Sequence, residues 1–369
     1  MLLAMATSLG ACQPAPAPGP RHETPPGASG GTGPTTAAGG SGGTSAGTSS
    51  PGGSGGATAV PIDEPASGGS SGAGTGGNNG SGGQMAPADA APVDAALGDD
   101  GPASASVCPA GRTLVWRLDF SHPGWNGGAA GVAEAIKAAG GTIETGSEHV
   151  SVINDPAHGN ALHVRYPPGS GSNDCVNLKQ CVTAGGIVFF MPMPDGGAIK
   201  SALLSYWVKF DPSFEWVKGG KLPGMCGHGC PIAGAKVAPD RFSLRFMWRP
   251  GGAGEVYSYL TSPPNPGYGL DMGVGSWHWK NDGAWHHIQQ ELVLNTGNNN
   301  DGSVRVWYDN PSTAAPDFQQ KNLKYYDRTR YPDLGIDTLV FSTFHGGHER
   351  SWSPSKEVTT QFADFQLCR

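Results

Sequence analysis

Three observations predict an all-β fold for residues 107–369. Short apolar stretches alternate with a period of two, Gly, Pro, Asn and Asp separate them, and only residues 130–139 have a helical pattern. Period two is typical of strands, and many short strands with turns between them are typical of two packed antiparallel sheets. We therefore expect a β-sandwich or jelly roll. The predicted strands are 113–120, 161–166, 187–191, 202–210, 242–249, 255–261, 286–294, 303–309, 337–344 and 358–367.

The chain opens with a short apolar stretch that ends in Leu9-Gly10-Ala11-Cys12. This pattern is typical of a bacterial lipoprotein, so residues 1–12 are predicted to be a signal, with Cys12 as the lipid anchor. No Lys or Arg precedes the stretch, which leads us to expect a translation start upstream. The alternative is a plain secretory signal with a chance Cys. Either signal predicts a location outside the cytoplasm, at the outer membrane or cell surface or in the medium.

Residues 13–106 consist mainly of Gly, Ser, Thr, Ala and Pro, with almost no large apolar side chain. Such a segment buries too little surface to offset its ordering entropy, so we predict a disordered linker. A flexible coil of this length has a reach on the order of 50–60 Å, enough to hold a domain away from a membrane. Nothing later is apolar for long enough to span a bilayer, so the lipid at Cys12 is the only membrane contact we expect.

The charge of the chain is concentrated in this linker. Its acidic residues outnumber Arg21 by six, which leaves about −1 of the net −7 for residues 107–369. A nearly neutral domain lacks the basic excess of a nucleic-acid binder, so no nucleic-acid partner is expected. It is compatible with an anionic ligand. We expect residues 107–369 to form one domain that acts as a monomer.

Six cysteines remain in that domain, and their spacing predicts an oxidising compartment. Six cysteines allow fifteen pairings. Two short spacings and the proximity of domain ends favour one set. The predicted disulfides are Cys108–Cys368, Cys175–Cys181 and Cys226–Cys230. The alternative is a metal site at Cys226, His228 and Cys230, but a second compact ligand set of the zinc type is missing, so no metal is expected.

Two neighbouring predicted strands, FSLRFMWR (242–249) and EVYSY (255–259), form a candidate hairpin around the glycine-rich turn 250–254. Alternation places Ser243 and Arg245 on one face of the first strand and Tyr257 and Tyr259 on one face of the second. Cross-strand partners share a face, so these four side chains are predicted to lie together. The predicted partners are Arg249 with Glu255, Met247 with Tyr257, and Arg245 with Tyr259. A hydroxyl, a guanidinium and two phenols suit an anionic ligand rich in hydroxyl groups.

Several motifs in one order give the chain a family resemblance. The motifs are KGGKLPG, FSLRFMWR, GEVYSY, WHHIQQELVLNT, NNNDGSVRVWYDN and FSTFHGG. Together they resemble polysaccharide lyase family 14, which includes alginate and glucuronan lyases. The resemblance runs from about Phe120 to the C terminus and is strongest between Lys218 and Trp352. It implies a β-jelly roll with a concave substrate cleft.

The resemblance also implies the catalytic residues. The family's essential positions fall on Lys221, Ser243, Arg245, Tyr257 and Tyr259 without substitution. His345, where the family commonly has Phe, and the Cys226–Cys230 loop depart from the pattern. These departures concern substrate choice more than reaction type.

The implied reaction is β-elimination on a 4-linked uronic acid. The C5 proton becomes acidic when the neighbouring carboxylate is neutralised, which the planar fork of Arg245 can do. Tyr257 and Tyr259 are the candidate acid and base, with one phenol or both involved. Lys221 is an electrostatic aid or the base itself, and Ser243 assists substrate binding. The substrate is an acidic polysaccharide, and this scheme requires no metal and no cofactor.

Weaker candidates for sugar contacts lie outside this group. His287 and Gln289 share a strand face with Glu291 and could line subsites. His345 and His348 follow a strand end and could contact sugar or act as an alternative base. A metal at that histidine pair is not favoured, because no third ligand is evident. Trp277, Trp279 and Trp285 are candidate sugar platforms, and core packing is an equal alternative.

Two other functions compete with a lyase. A glycoside hydrolase needs two carboxylates a few ångströms apart, and no such pair is evident in the sequence. A non-catalytic carbohydrate-binding or adhesion module would explain the tether, the sandwich and the aromatic residues. It would not explain why all five lyase positions keep their residue types. Each residue also has an ordinary structural explanation, so the hypothesis depends on their joint placement on one face.

Overall fold

The computed structural model describes residues 108–121, 123–125, 127–193, 199–262 and 269–369. The predicted signal 1–12, with Cys12, and the linker 13–106 lie outside these residues. No helix in the described part of the chain is long and apolar enough to cross a bilayer.

The described residues form two antiparallel sheets, which confirms the predicted all-β sandwich. The back sheet consists of β1 (Leu114–Leu118), β3 (Val150–Asp155), β4 (Gly159–Tyr166), β6 (Ser201–Phe210), β11 (His286–Val293), β12 (Gly302–Tyr308), β13 (Phe318–Leu323) and β15 (Val358–Cys368). The cleft sheet consists of β2 (Thr142–Thr145), β5 (Ile187–Pro192), β7 (Gly220–Gly227), β8 (Phe242–Trp248), β9 (Gly254–Tyr259), β10 (Leu270–Met272) and β14 (Thr338–His345). The α-helices are α1 (Ala129–Ala138) and the short α2 (Asn173–Asn177).

The strand order brings distant parts of the chain together. It is β13-β12-β11-β6-β15-β4-β3 in the back sheet, with β1 paired to β15, and β10-β9-β8-β7-β14-β5-β2 in the cleft sheet. All ten predicted strands and the predicted helix are present, and β2, β3, β7, β10 and β13 are additional. The sequence of β7, GKLPGMCG, contains Gly and Pro, which weaken a strand signal.

The inner faces of the two sheets form the core. Apolar side chains at alternate positions meet there, such as Phe246 of β8 and Tyr206 of β6, whose ring centroids lie 6.4 Å apart. Trp277 and Trp279 are buried in the same core and pack against Phe246, so core packing accounts for these two residues.

All three predicted disulfides are present. Cys108–Cys368 joins the two ends of the described domain, with a sequence separation of 260 residues. Cys175–Cys181 and Cys226–Cys230 close short loops. Because Cys226 and Cys230 are bonded to each other, neither supplies the thiolate that the alternative metal site there would need.

The register of the β8–β9 hairpin differs from the prediction by two residues. Arg245 lies opposite Tyr257, and Ser243 lies opposite Tyr259. The turn is the cause: it spans Arg249–Ala253, closed by a hydrogen bond from Arg249 N to Ala253 O, so that Gly254 already belongs to β9. A shift of two residues preserves the face of every side chain, so the predicted shared face is retained.

The hairpin is buried on both of its faces. Every residue of β8 and β9 is buried. The core covers one face, and the loop of residues 228–241 between β7 and β8, hereafter the cleft loop, packs against part of the other through Val237.

Candidate active site

A cavity of about 270 Å³ lies on the face of the cleft sheet that points away from the core. Its floor comes from β7, β8 and β9. Those strands contribute Lys221, Arg245, Met247, Tyr257 and Tyr259. Four of the five predicted catalytic side chains therefore reach one cavity.

Arg245 is a buried guanidinium with unused donors. Its side chain is 1% exposed, and Nη1 donates to Ser342 Oγ at 3.0 Å. Nε and Nη2 have no hydrogen-bond partner among the described residues. Buried donors without a partner are costly, so the site is built for an acceptor. Nε–H and Nη2–H form the edge of a guanidinium that binds a carboxylate with two parallel hydrogen bonds.

The two phenols stand beside this guanidinium. The Tyr257 ring centroid lies 5.9 Å from Arg245 Cζ and 5.8 Å from the Tyr259 ring centroid. Each phenol oxygen accepts a backbone N–H, from Gly269 at 2.8 Å for Tyr257 and from Gly234 at 2.9 Å for Tyr259. Burial, followed by the neighbouring Tyr259, raises the pKa of Tyr257 above its ordinary value. Tyr257 is therefore protonated at neutral pH and can act as an acid.

Lys221 lies on β7, opposite Met247 of β8. Its Nζ contacts the Met247 sulfur and lies 3.5 Å from the centroid of the Tyr257 ring. Enclosure in the cavity, followed by the charges of Arg245 and Arg249, lowers the pKa of the Lys221 amine well below its ordinary value. A lowered pKa favours the neutral amine, the form that can accept a proton.

Ser243 shares the predicted face but does not line the cavity. Its side chain is fully buried, and Oγ donates to the backbone oxygen of Pro231 in the cleft loop. The expected contact of Ser243 with substrate is therefore replaced by a contact with the loop that forms one cavity wall.

Other cavity residues were not identified from the sequence. Arg249 lines one end, where Nη2 forms ion pairs with Glu255 at 2.8 Å and Asp271 at 2.9 Å. Glu144, an exposed residue of β2, and Asn173, at the start of α2, also line the cavity. For Arg249, its predicted proximity to Glu255 in the sequence was a signal that could have been used. No local pattern marks Glu144 and Asn173, because both come from parts of the chain distant in sequence from β7, β8 and β9.

His345 belongs to the core, contrary to the prediction. It is fully buried, Nε2 donates to Glu215 O at 2.8 Å, and its ring stacks on Phe214 with centroids 5.4 Å apart. Alternation along β14 explains the error, because the preceding Phe344 lines the cavity and His345 therefore points inward. His348, beyond the strand end, does line the cavity.

His287 and Gln289, predicted as weaker candidates for sugar contacts, do not line this cavity. Both lie on β11, which pairs with β6 and β12 in the back sheet. Their side chains point away from the core: His287 packs against Trp207, and Gln289 donates to Asn310 O at 2.8 Å. A shared strand face was visible in the sequence, but the sheet to which the strand belongs was not.

The buried His345 makes stability depend on pH. Burial lowers the pKa of His345 to about 4. The unfolded chain, with a pKa near 6.5, therefore binds more protons between these values, and the free energy of unfolding falls as pH drops through this window. We expect His345 to account for a loss of about 2 kcal/mol between pH 7 and pH 5. Urea unfolding of wild type and His345→Phe at both pH values measures this.

The Phe variant should lose less stability than wild type on acidification. Its ring can pack on Phe214 and Trp248, although it cannot bond to Glu215 O. Equal pH dependence in the two proteins would contradict the assignment of a neutral, buried His345.

Comparisons with known proteins identify the family and the fold. The sequence model of the family described as Polysaccharide lyase 14 matches residues 154–365, more than half of the chain. A marine PL-14 alginate lyase from Aplysia kurodai is similar in structure, with a TM-score of 0.56 and 26% identity over 69% of this chain and 98% of that one. Among curated proteins, no sequence gives a significant match.

Two further solved structures share the fold. The alginate lyase vAL-1 from Chlorella virus has a TM-score of 0.54 and 20% identity, covering 69% of this chain and 99% of its own. A variant of the alginate lyase Aly36B in complex with an alginate trisaccharide has a TM-score of 0.53 and 19% identity, covering 68% and 96%. The predicted family resemblance and the jelly-roll fold are thus confirmed.

Proposed function

The chain belongs to polysaccharide lyase family 14, and we propose that it cleaves a 4-linked polyuronate by β-elimination. The observation that carries the proposal is the buried Arg245 guanidinium, whose Nε and Nη2 lack partners among the described residues at the floor of the cavity. A uronate carboxylate is planar, anionic and able to accept both donors. Its binding would satisfy the guanidinium and make the neighbouring C5 proton acidic.

The elimination needs one proton acceptor and one proton donor. The C5–H bond breaks, its electron pair forms the C4=C5 double bond, and the C4–O4 bond breaks. The C5 proton passes to the neutral Lys221 amine or to Tyr259 in its phenolate form, and Tyr257, kept protonated by its raised pKa, supplies the proton to O4. Arg245 stabilises the charge that develops on the carboxylate.

The placement of these groups supports a choice of substrate. Lys221, Arg245, Tyr257 and Tyr259 all rise from one sheet face, so acid and base approach the sugar from the same side. In β-mannuronate and β-glucuronate the C5 hydrogen and O4 lie on one side of the ring, whereas in guluronate they lie on opposite sides. We therefore propose polymannuronate or polyglucuronate as the preferred polymer.

We extend the proposal to the cellular setting. Three disulfides in the described residues support an extracytoplasmic enzyme. Cys12 would carry a lipid, residues 13–106 would tether the domain 107–369 to the surface, and the enzyme would act as a monomer. Mass spectrometry of the purified N terminus and sedimentation of the intact protein would test the lipid and the monomer.

The activity test uses three polymers. The purified protein is incubated with polymannuronate, polyglucuronate and polyguluronate, and the ultraviolet absorbance of the conjugated C4–C5 double bond is followed together with reducing ends. We expect both signals to rise in parallel, with polyguluronate the poorest substrate. Reducing ends without the absorbance would indicate a hydrolase. Binding with neither signal would indicate a carbohydrate-binding module, and either result would reject the proposal.

A further inference from the structure

The cleft loop has a backbone conformation that needs external support. His228, Cys230 and Ala233 have φ values of 50°, 42° and 52°, in the left-handed region that non-glycine residues rarely occupy. Such a conformation is strained for a residue with a side chain and persists only when its surroundings hold it.

Two contacts fix the start of the cleft loop. The Cys226–Cys230 disulfide ties it to β7, and His228 N donates to Asp337 Oδ2 at 2.9 Å. Ile232, two residues beyond the disulfide, packs against the cluster formed by Cys226, Cys230 and Val340 and lines the cavity. The loop is thus held at one end while its apolar side faces the cavity.

Two further contacts join the loop to the hairpin beneath it. The fully buried Ser243 donates through Oγ to Pro231 O, and Gly234 N donates to the Tyr259 oxygen at 2.9 Å. Ser243 and Tyr259 are cross-strand partners. The cleft loop is therefore bonded to Ser243 through Pro231 and to Tyr259 through Gly234, and it links these two cross-strand partners.

We propose that Ser243 and the Cys226–Cys230 disulfide are positioning residues, which hold the cleft loop so that the Gly234 N–H fixes the Tyr259 phenol in the cavity. Ser243 then serves catalysis without touching the substrate. The inference rests on the proposed polyuronate lyase activity, because that activity is what gives Tyr259 its role. Ser243, at a position typical of the family, and the Cys226–Cys230 disulfide, which departs from the family pattern, then serve the same positioning role.

The test begins with Ser243→Ala. Without the hydroxyl, Pro231 O loses its partner and the loop loosens. A catalytic group displaced by about 1 Å costs on the order of 10²-fold, so we expect kcat to fall roughly 10- to 100-fold while KM changes little. Hydrogen–deuterium exchange of the peptide covering residues 228–237 should become faster. Ser258→Ala is the matched control, since this buried serine also donates to a backbone carbonyl, that of Leu270, but faces the core.

A double-mutant cycle separates positioning from substrate contact. If Ser243 acts through Tyr259, Ser243→Ala should cause little further loss of kcat in the Tyr259→Phe background. Cys226→Ala/Cys230→Ala loosens the same loop from its other end and should give the same pattern, which keeps the test informative if Ser243→Ala folds poorly.

Three results would overturn the inference. These are a raised KM with unchanged exchange in Ser243→Ala, a full additional loss in the Tyr259→Phe background, or faster exchange with unchanged kcat. A wild-type protein that forms no unsaturated product would instead reject the proposed function. The exchange measurement on residues 228–237 needs no substrate and would still report whether Ser243 holds the loop.

Discussion

Replacing Arg245 with Lys is expected to lower kcat/KM on the polyuronate by about 10³-fold, although the positive charge is kept. The reason is the loss of the Nε–H and Nη2–H fork, which has no partner among the described residues and is available to a carboxylate. Negative charge on that carboxylate grows as C5 loses its proton, so the fork binds the transition state more strongly than the ground state. The loss should therefore appear in kcat as well as in KM.

A matched substitution tests whether the effect belongs to the site. Arg305 of the back sheet forms an ion pair with Glu291, and Arg305→Lys should leave kcat/KM within about twofold of wild type. Circular dichroism and urea unfolding of both variants control for folding, since Arg245 also bonds to Ser342. Activity of Arg245→Lys close to that of wild type would remove the basis of the carboxylate mechanism.

The face of each β8 and β9 side chain could be predicted from the sequence, because alternation determines it regardless of register. The hairpin register itself was wrong, yet Arg245, Tyr257 and Tyr259 still line one cavity. Period two makes face assignments robust to an even shift, and turn geometry determines the rest. Candidate site residues on two neighbouring strands could therefore be placed together without knowing how the strands pair.

The walls of the cavity could not be predicted in this way. Glu144 arrives from β2, which lies five places from β9 in the cleft sheet, and the order of strands in a sheet is not a local property of the chain. His345 was misplaced because successive residues of a strand face opposite sides of the sheet, so an error of one position exchanges the core face for the cavity face. His287 was misplaced because its strand belongs to the back sheet. Strand faces follow from local pattern, whereas the partner sheet follows from the packing of the whole domain.

Removing either phenol is expected to lower kcat by about 10²–10⁴-fold, the range for loss of a general acid or base. Tyr257→Phe removes the group that we propose protonates O4, and Tyr259→Phe removes the oxygen that Gly234 N–H fixes beside Arg245. Each change deletes one oxygen atom and leaves the ring packing intact. KM should change little, because Arg245 still binds the substrate carboxylate, and steady-state kinetics on the preferred polymer measure both constants.

The double variant is the stronger test, because the two phenols are proposed to serve one step. When the residues of such a unit are removed together, the loss is close to that of the more damaging single change and not to the product of the two. Tyr257→Phe/Tyr259→Phe should therefore be about as active as the worse single variant. Tyr166→Phe, which changes a buried tyrosine bonded to Thr343, is the matched control for deletion of a phenol oxygen. A double variant whose loss equals the product of the single losses would show that the phenols act independently, and a single variant with wild-type kcat would remove that tyrosine from the mechanism.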